Sequence, residues 1–206
     1  MTVSTHTRDR EKWFRWFILA GACLMPLMVQ AEPAPANPTT LPFPSGGAIV
    51  MKINQGEVDV VGVDEDRISV SWQGGARGAE GGAKVRLERL DGNRATLVLD
   101  SWEDHVRYRI QVPRHSDVAI HMRAGELKVS GIVGSMDVDL LAGEMSLRLP
   151  EPSRYKAVSA SVTAGQLTAR PWRTDASGLW RSFNARGEGD LELRARLIAG
   201  ELTIGE

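Results

Sequence analysis

The sequence predicts an all-β fold, and three observations carry that prediction. Beyond Gly47 the apolar residues alternate in short runs, the period of a strand buried on one face. No stretch in that region holds apolar residues at helical spacing. One phrase, small-Gly-acidic-apolar, also returns whole: "RAGEL" at Arg123–Leu127, "LAGEM" at Leu141–Met145, "TAGQL" at Thr163–Leu167 and "IAGEL" at Ile198–Leu202. A recurring phrase, rather than a recurring glycine, is what equivalent corners of a coiled and stacked chain would leave in a sequence.

The elements follow in chain order. Met1–Trp16 is polar and basic, with Arg8, Arg10, Lys12 and Arg15, and the apolar run "FILAGACLMPLMV" follows at Phe17–Val29. A basic start, an apolar middle and the small-residue exit "VQA" are the parts of a secretory signal peptide. Residues 1–31 are therefore read as that peptide, with cleavage after Ala31. The run falls short of the roughly 20 residues needed to span a bilayer, so a membrane association would come only through an uncleaved signal segment. The single cysteine, Cys23, lies inside the run; it lacks the apolar residue three positions earlier that lipid attachment wants. Cleavage would remove it, leaving no disulfide and no thiolate ligand. Residues 32–46 hold five prolines between Glu32 and Pro44 and read as an extended tether. Residues 47–206 form the expected domain.

Within it, "RISVSW" places Ile68, Val70 and Trp72 on one face, and "HVRYRIQV" does the same for Val106, Tyr108, Ile110 and Val112. "KVRLERLDGNRATLVL" reads as a hairpin turning through Asp91-Gly92, the N-terminal excursion from the stack. Pro113 has no N–H for a ladder and ends its strand. Gly125, Gly134 and Gly143 are nine apart, and each is expected at a corner between six-residue strands. The inward residues would be Leu127 and Val129, then Met136, Val138 and Leu140, then Met145, Leu147 and Leu149. Gly165, Gly189 and Gly200 continue the series before Leu167, Leu191 and Leu202. The alanine before each corner glycine is expected inside the bend. An antiparallel meander or sandwich with glycines in ordinary turns is the competing architecture.

"INQGEVDVVGVDEDRISVSW", "YRIQVP", "RAGELKVSGIVGSMDVDLLAGEMSL", "TAGQLTA" and "IAGELTI" come in an order that resembles the bacterial putative-adhesin family, a domain of unknown function. The resemblance spans about Ala48 to Glu206. It implies a single-chain, right-handed β-solenoid or β-helix-like stack in the cell envelope, and it brings no activity and no binding residues. The segment Pro171–Phe183, with Trp172 and Trp180, departs from the pattern and reads as an irregular insertion.

Chemistry is sparse. The whole chain carries a formal charge of −1, and without residues 1–31 it keeps 21 basic and 24 acidic residues. That balance excludes nucleic-acid binding by bulk charge. His105, His115 and His121 read as solvated, with too few neighbouring ligands for a metal. Asp64, Glu65 and Asp66 read as a turn, since calcium needs six to eight oxygen ligands. "GGARGAEGGA", Gly74–Ala83, lacks the Gly-Lys-Ser/Thr of a phosphate loop. No Gly-x-Ser-x-Gly marks a nucleophile, so no catalytic residue, metal or cofactor is expected, and the protein is read as a non-enzyme.

The candidate interaction surface is a column formed by Glu126, Glu144 and Glu201, with Gln166 between them, at the same place in the repeated phrase. Stacked, they would bring like charges close enough to invite a cation or a basic partner. Trp172 and Trp180 would either cap the core or bind sugar rings. The strand ending at Ile204 is expected to offer a free edge, unless Glu201 and Glu206 block it. Together these features predict a secreted, non-catalytic protein of the periplasm or cell envelope, presenting a surface to an envelope protein or glycan. Two further functions compete: an accessory protein in envelope-stress or sigma-factor regulation, and a polysaccharide-binding or polysaccharide-active β-helix protein.

Overall fold

Alternation dictates strands, and strands are what form. A computed structural model describes residues 37–74, 83–101 and 106–206, all within the unit Ala34–Glu206. The signal-peptide reading, most of the glycine-rich stretch and His105 lie outside the described residues. Among the described residues eleven strands make one open sheet: β1 Thr39–Pro42, β2 Ala48–Val63, β3 Arg67–Gln73, β4 Lys84–Arg89, β5 Arg94–Asp100 and β6 Arg107–Pro113, then β7 Asp117–Ser130, β8 Met136–Arg148, β9 Tyr155–Ala169, β10 Thr174–Arg186 and β11 Leu191–Gly205. Two 3-10 turns, Pro152–Arg154 and Arg170–Trp172, are the only helical segments among the described residues. The sheet order is β1-β3-β6-β2-β7-β8-β11-β9-β10, with β5 on β2 and β4 on β5.

Five long strands share one construction. In β2, β7, β8, β11 and β9 the buried residues jump by five at mid-strand: Ile53 to Val58, Met122 to Leu127, Leu140 to Met145, Leu197 to Leu202 and Val162 to Leu167. Side chains of a straight strand alternate with a period of two, so an odd jump would turn the second half outward. A bend at the jump keeps both halves facing the same core. Its hinge is a glycine with positive φ at 56, 125, 143, 200 and 165, a conformation that side chains with a Cβ rarely adopt.

The strands run parallel, so those glycines fall in one row: Gly56 beside Gly125, Gly125 beside Gly143, Gly143 beside Gly200 and Gly200 beside Gly165. A Cβ on Gly143 would overlap the Gly125 carbonyl oxygen, and one on Gly200 would overlap that of Gly143. The row closes on β10, antiparallel to β9, where Gly178 faces Gly165.

Several expectations are corrected here. Gly134 and Gly189 are not bends of this kind: neither has positive φ, and both lie in connections between strands. The unit is therefore the 18-residue step from Gly125 to Gly143, one long bent strand rather than two short ones. The alanine before each bend is not packed inside it; Ala142 is half-buried and Ala199 is exposed. Part of the expected tether belongs to the sheet, because Thr39–Pro42 pairs with β3 and Phe43 is buried. Pro42 is tolerated there because β1 is an edge strand. The segment Pro171–Phe183 is a 3-10 turn followed by most of β10, not an irregular insertion. Finally, β11 is no free edge: it sits between β8 and β9, in register with both.

The hairpin of β4 and β5 is as expected, with Leu90 and Asp91 donating to the Arg94 carbonyl across the loop. "VDEDR" is a turn, in which Arg114 pairs with Asp64 at 2.9 Å. Tyr155 opens β9 and donates from its buried hydroxyl to the Gly134 carbonyl at 3.2 Å, fastening the β7–β8 connection from inside.

The bend makes a sharp prediction about glycine. Gly143→Ala meets both a backbone overlap and an unfavourable φ, so urea denaturation should show a loss of about 3 kcal/mol or more. Gly92→Ala, with open space around it and no positive φ, should stay within about 0.5 kcal/mol of the parent. A second prediction concerns pH. Burial pushes the Tyr155 hydroxyl up to about 12 and raises that of Tyr108 as well. The folded state therefore binds these protons more tightly than the unfolded chain, whose tyrosines titrate near 10. Their contribution is complete below pH 10 and is lost as pH rises from about 10 towards 12. Absorbance at 295 nm should accordingly show tyrosinate appearing together with unfolding, not before it.

Candidate interaction surface

The bend places two rows of side chains on the outer side of the corner. One lies just after the glycines: Glu57, Glu126, Glu144, Glu201 and Gln166, on β2, β7, β8, β11 and β9 in that spatial order. Neighbouring strands are about 4.8 Å apart, so four carboxylates follow one another at that step. The predicted column thus exists, with two changes. Gln166 stands at its end rather than inside it, because β11 is inserted ahead of β9. Glu57 extends it at the other end, and the "QGEV" of Gln55–Val58 is the signal that would have found it.

The carboxylates are not equally compensated. Arg107 pairs with Glu57 at 2.8 Å and Lys128 with Glu126 at 2.5 Å. The Glu126 carboxylate raises the Lys128 ammonium above its ordinary range, with Glu57 and Asp59 adding to the effect. Among the described residues no cation lies within ion-pair distance of Glu144 or Glu201, and Glu201 only accepts from the Thr203 hydroxyl at 3.4 Å. Nor do any three Asp, Glu, His or Cys among the described residues converge to hold a metal ion. Gln166 and Glu201 also border a polar hollow of about 490 Å³ with Arg170, Arg173 and Asp175.

The second row lies two residues before the glycines. On β8, β11 and β9 it holds Leu141, Ile198 and Thr163, and on the antiparallel β10 it continues at Leu179 and Trp180. Leu141 is 51% exposed, Ile198 49%, Leu179 65% and Trp180 79%. Apart from Leu90 in the hairpin loop, these are all the large apolar side chains that the described residues leave exposed. Scattered singly they would need no explanation; with Leu141 and Ile198 on adjacent strands and Leu179 and Trp180 one strand further, past Thr163 of β9, they form a patch.

The two predicted tryptophans part company. The Trp172 ring, half-buried, packs 5.5 Å from that of Phe183 and helps cover the core. Trp180, at φ 56°, stands in solvent beside the bend of β10. They do not make a shared platform for a sugar.

The outer face before the corner is charged but internally satisfied. Arg194 pairs with Asp137 at 3.4 Å, Arg196 with Asp137 at 3.5 Å and also with Asp139, and His121 lies 3.1 Å from Asp139. A shallow groove of about 480 Å³ crosses this face over Ala119, Asp137, Ser159 and Arg194. His115 lies in the turn after Pro113, away from both rows. No helix among the described residues is long and apolar enough to cross a membrane.

Fold and surface together define an all-β protein built on a bent, mostly parallel open sheet, with exposed apolar side chains and two carboxylates lacking an ion pair among the described residues side by side at the corner. No protein-family model matches the chain, and no curated protein matches it. Its fold is similar to that in the crystal structure of a putative cell adhesion protein from Clostridium sporogenes, with a TM-score of 0.53, 10% sequence identity and coverage of 82% of this chain and 99% of that one.

The compensation pattern predicts how the row responds to salt. Glu144→Gln with Glu201→Gln removes two like charges from a run of four. The urea midpoint should rise slightly at 10 mM NaCl, and the difference should vanish at 500 mM as the field is screened.

Proposed function

We propose that the protein is a non-catalytic component of the cell envelope that presents the surface of a β-solenoid for binding or scaffolding, adhesin-like in role. The observation that carries this reading is the corner: exposed apolar side chains on β8, β11 and β10 beside Glu144 and Glu201, which no cation pairs among the described residues. A folded domain gains nothing in its own stability by leaving four large apolar side chains in water, so a partner is the economical account of the patch. Similarity of fold to a putative cell adhesion protein supports the reading. The sequence of residues 1–31 supports an address in the periplasm or envelope. The 18-residue return from β7 to β8 supports a coil, and its right-handed sense follows the usual handedness of parallel crossovers.

The test combines location and binding. Producing cells are fractionated, the N-terminus of the recovered protein is sequenced, and binding of the purified protein to isolated envelopes is titrated. Recovery outside the cytoplasm with an N-terminus at Glu32 and saturable binding are expected. A variant carrying Leu141→Ser, Ile198→Ser and Trp180→Ser should lose at least tenfold in affinity. Cytoplasmic recovery, or binding that never saturates, defeats the proposal.

A further inference from the structure

We propose that the outer corner of β8, β11 and β10 is a docking strip for a basic amphipathic segment of a partner protein. The inference rests on the binding role proposed above and names the chemistry of what is bound. Two flanks and a floor define the strip. Leu141, Ile198 and Trp180 form the apolar flank, and Glu144 and Glu201 form the acidic one. Between them lie Ala142-Gly143 and Ala199-Gly200, and on the intervening β9 Ala164-Gly165, a floor without bulk that lets another backbone or side chain come close.

Dimensions set the occupant. From Leu141 on β8 to Trp180 on β10 the sheet is crossed in three strand steps, roughly 14 Å. A helix of about ten residues covers that length. The two flanks are three residues apart along each strand, at most about 10 Å, close to the diameter of one helix with its side chains. A segment lying across the strands would put its apolar side chains on one flank and its Lys or Arg on the other.

Charge sets the sign. The carboxylates nearest this flank, Glu144 and Glu201, are the ones in the row that no cation pairs among the described residues, whereas Glu57 and Glu126 each have one. The aspartates of the neighbouring face, Asp137 and Asp139, are likewise bound to Arg194 and Arg196. Two carboxylates that no cation pairs among the described residues, lying beside exposed apolar side chains, select a partner that is both basic and apolar. The same carboxylates oppose an anionic lipid surface, and nothing in the strip favours a second copy of this net-acidic domain.

The probe is a fluorescein-labelled twelve-residue peptide with Leu and Lys at helical spacing, titrated by anisotropy into the purified protein. Saturable binding is expected, at least tenfold weaker for Glu144→Gln with Glu201→Gln and for Leu141→Ser with Ile198→Ser. It should also weaken at 500 mM NaCl and be absent for the same peptide with every Lys replaced by Glu. Peptide binding should shift tryptophan emission to the blue in the parent and much less in Trp180→Phe, which locates the contact at the corner. Circular dichroism confirms that each variant is folded. Equal affinity for both peptides, no effect of the substitutions, or no shift assigned to Trp180 overturns the inference. So does an exposed row consumed instead by anionic vesicles or by self-association in sedimentation. Saturable envelope binding that survives Glu144→Gln with Glu201→Gln would remove this partner chemistry while leaving the broader binding role intact.

Discussion

Backbone lies on backbone at the corner of this sheet, and the rest of the structure depends on that approach. Each bend glycine takes a φ that few other residues accept, and Gly56, Gly125, Gly143 and Gly200 each occupy the space that a Cβ on the next bend glycine would need. The two demands reinforce one another. A strand without glycine could neither bend there nor let the adjacent strand bend beside it. Once Gly125 fixes the bend of β7, the register of β8, β11 and β9 follows, because their glycines must fall against it. The five-residue jump in buried positions is the same constraint seen from the core: it lets Leu140 and Met145 of one strand, or Leu197 and Leu202 of another, line a common interior.

Register imposed inside is inherited outside. Strands locked glycine to glycine carry equivalent residues into rows, so one acidic position in the phrase becomes four carboxylates in line. The protein meets the resulting repulsion unevenly, with cations at Glu57 and Glu126 and, among the described residues, none at Glu144 and Glu201. The position two residues before the bend likewise brings Leu141 and Ile198 side by side. The surface is thus a consequence of the core, and a change of residue at one place in the phrase acts as one cell of a lattice rather than as an isolated site.

Much of this was legible in the sequence, and the exceptions have physical reasons. Alternation gave the inward residues of β7 and β8 correctly, since period two is written directly in the side chains. Gly134 could not be told from Gly125 because composition does not record φ. Strand order was hidden as well: nothing local in "IAGELTI" says that it pairs with β8 as well as β9. Thr39–Pro42 was masked by its prolines, which an edge strand tolerates and a central one would not. The β10 segment escaped because an edge strand needs no buried face, and its exposed residues show no alternation. Of the candidate surface, the glutamates were visible in the repeated phrase. The apolar row was not, because Leu141 and Ile198 read as ordinary members of apolar strands until the bend turned them outward.

The place of β11 carries a consequence for assembly. It follows β9 and β10 in the chain yet lies between β8 and β9. Before residues 191–205 are in place, β8 and the hairpin of β9 and β10 have no strand joining them, and each shows an open edge. The sheet therefore cannot grow in the order in which it is synthesised. Its two parts must wait, protected from pairing with other chains, until one strand arrives to close both edges at once. A chain that loses β11 loses not an end but a keystone.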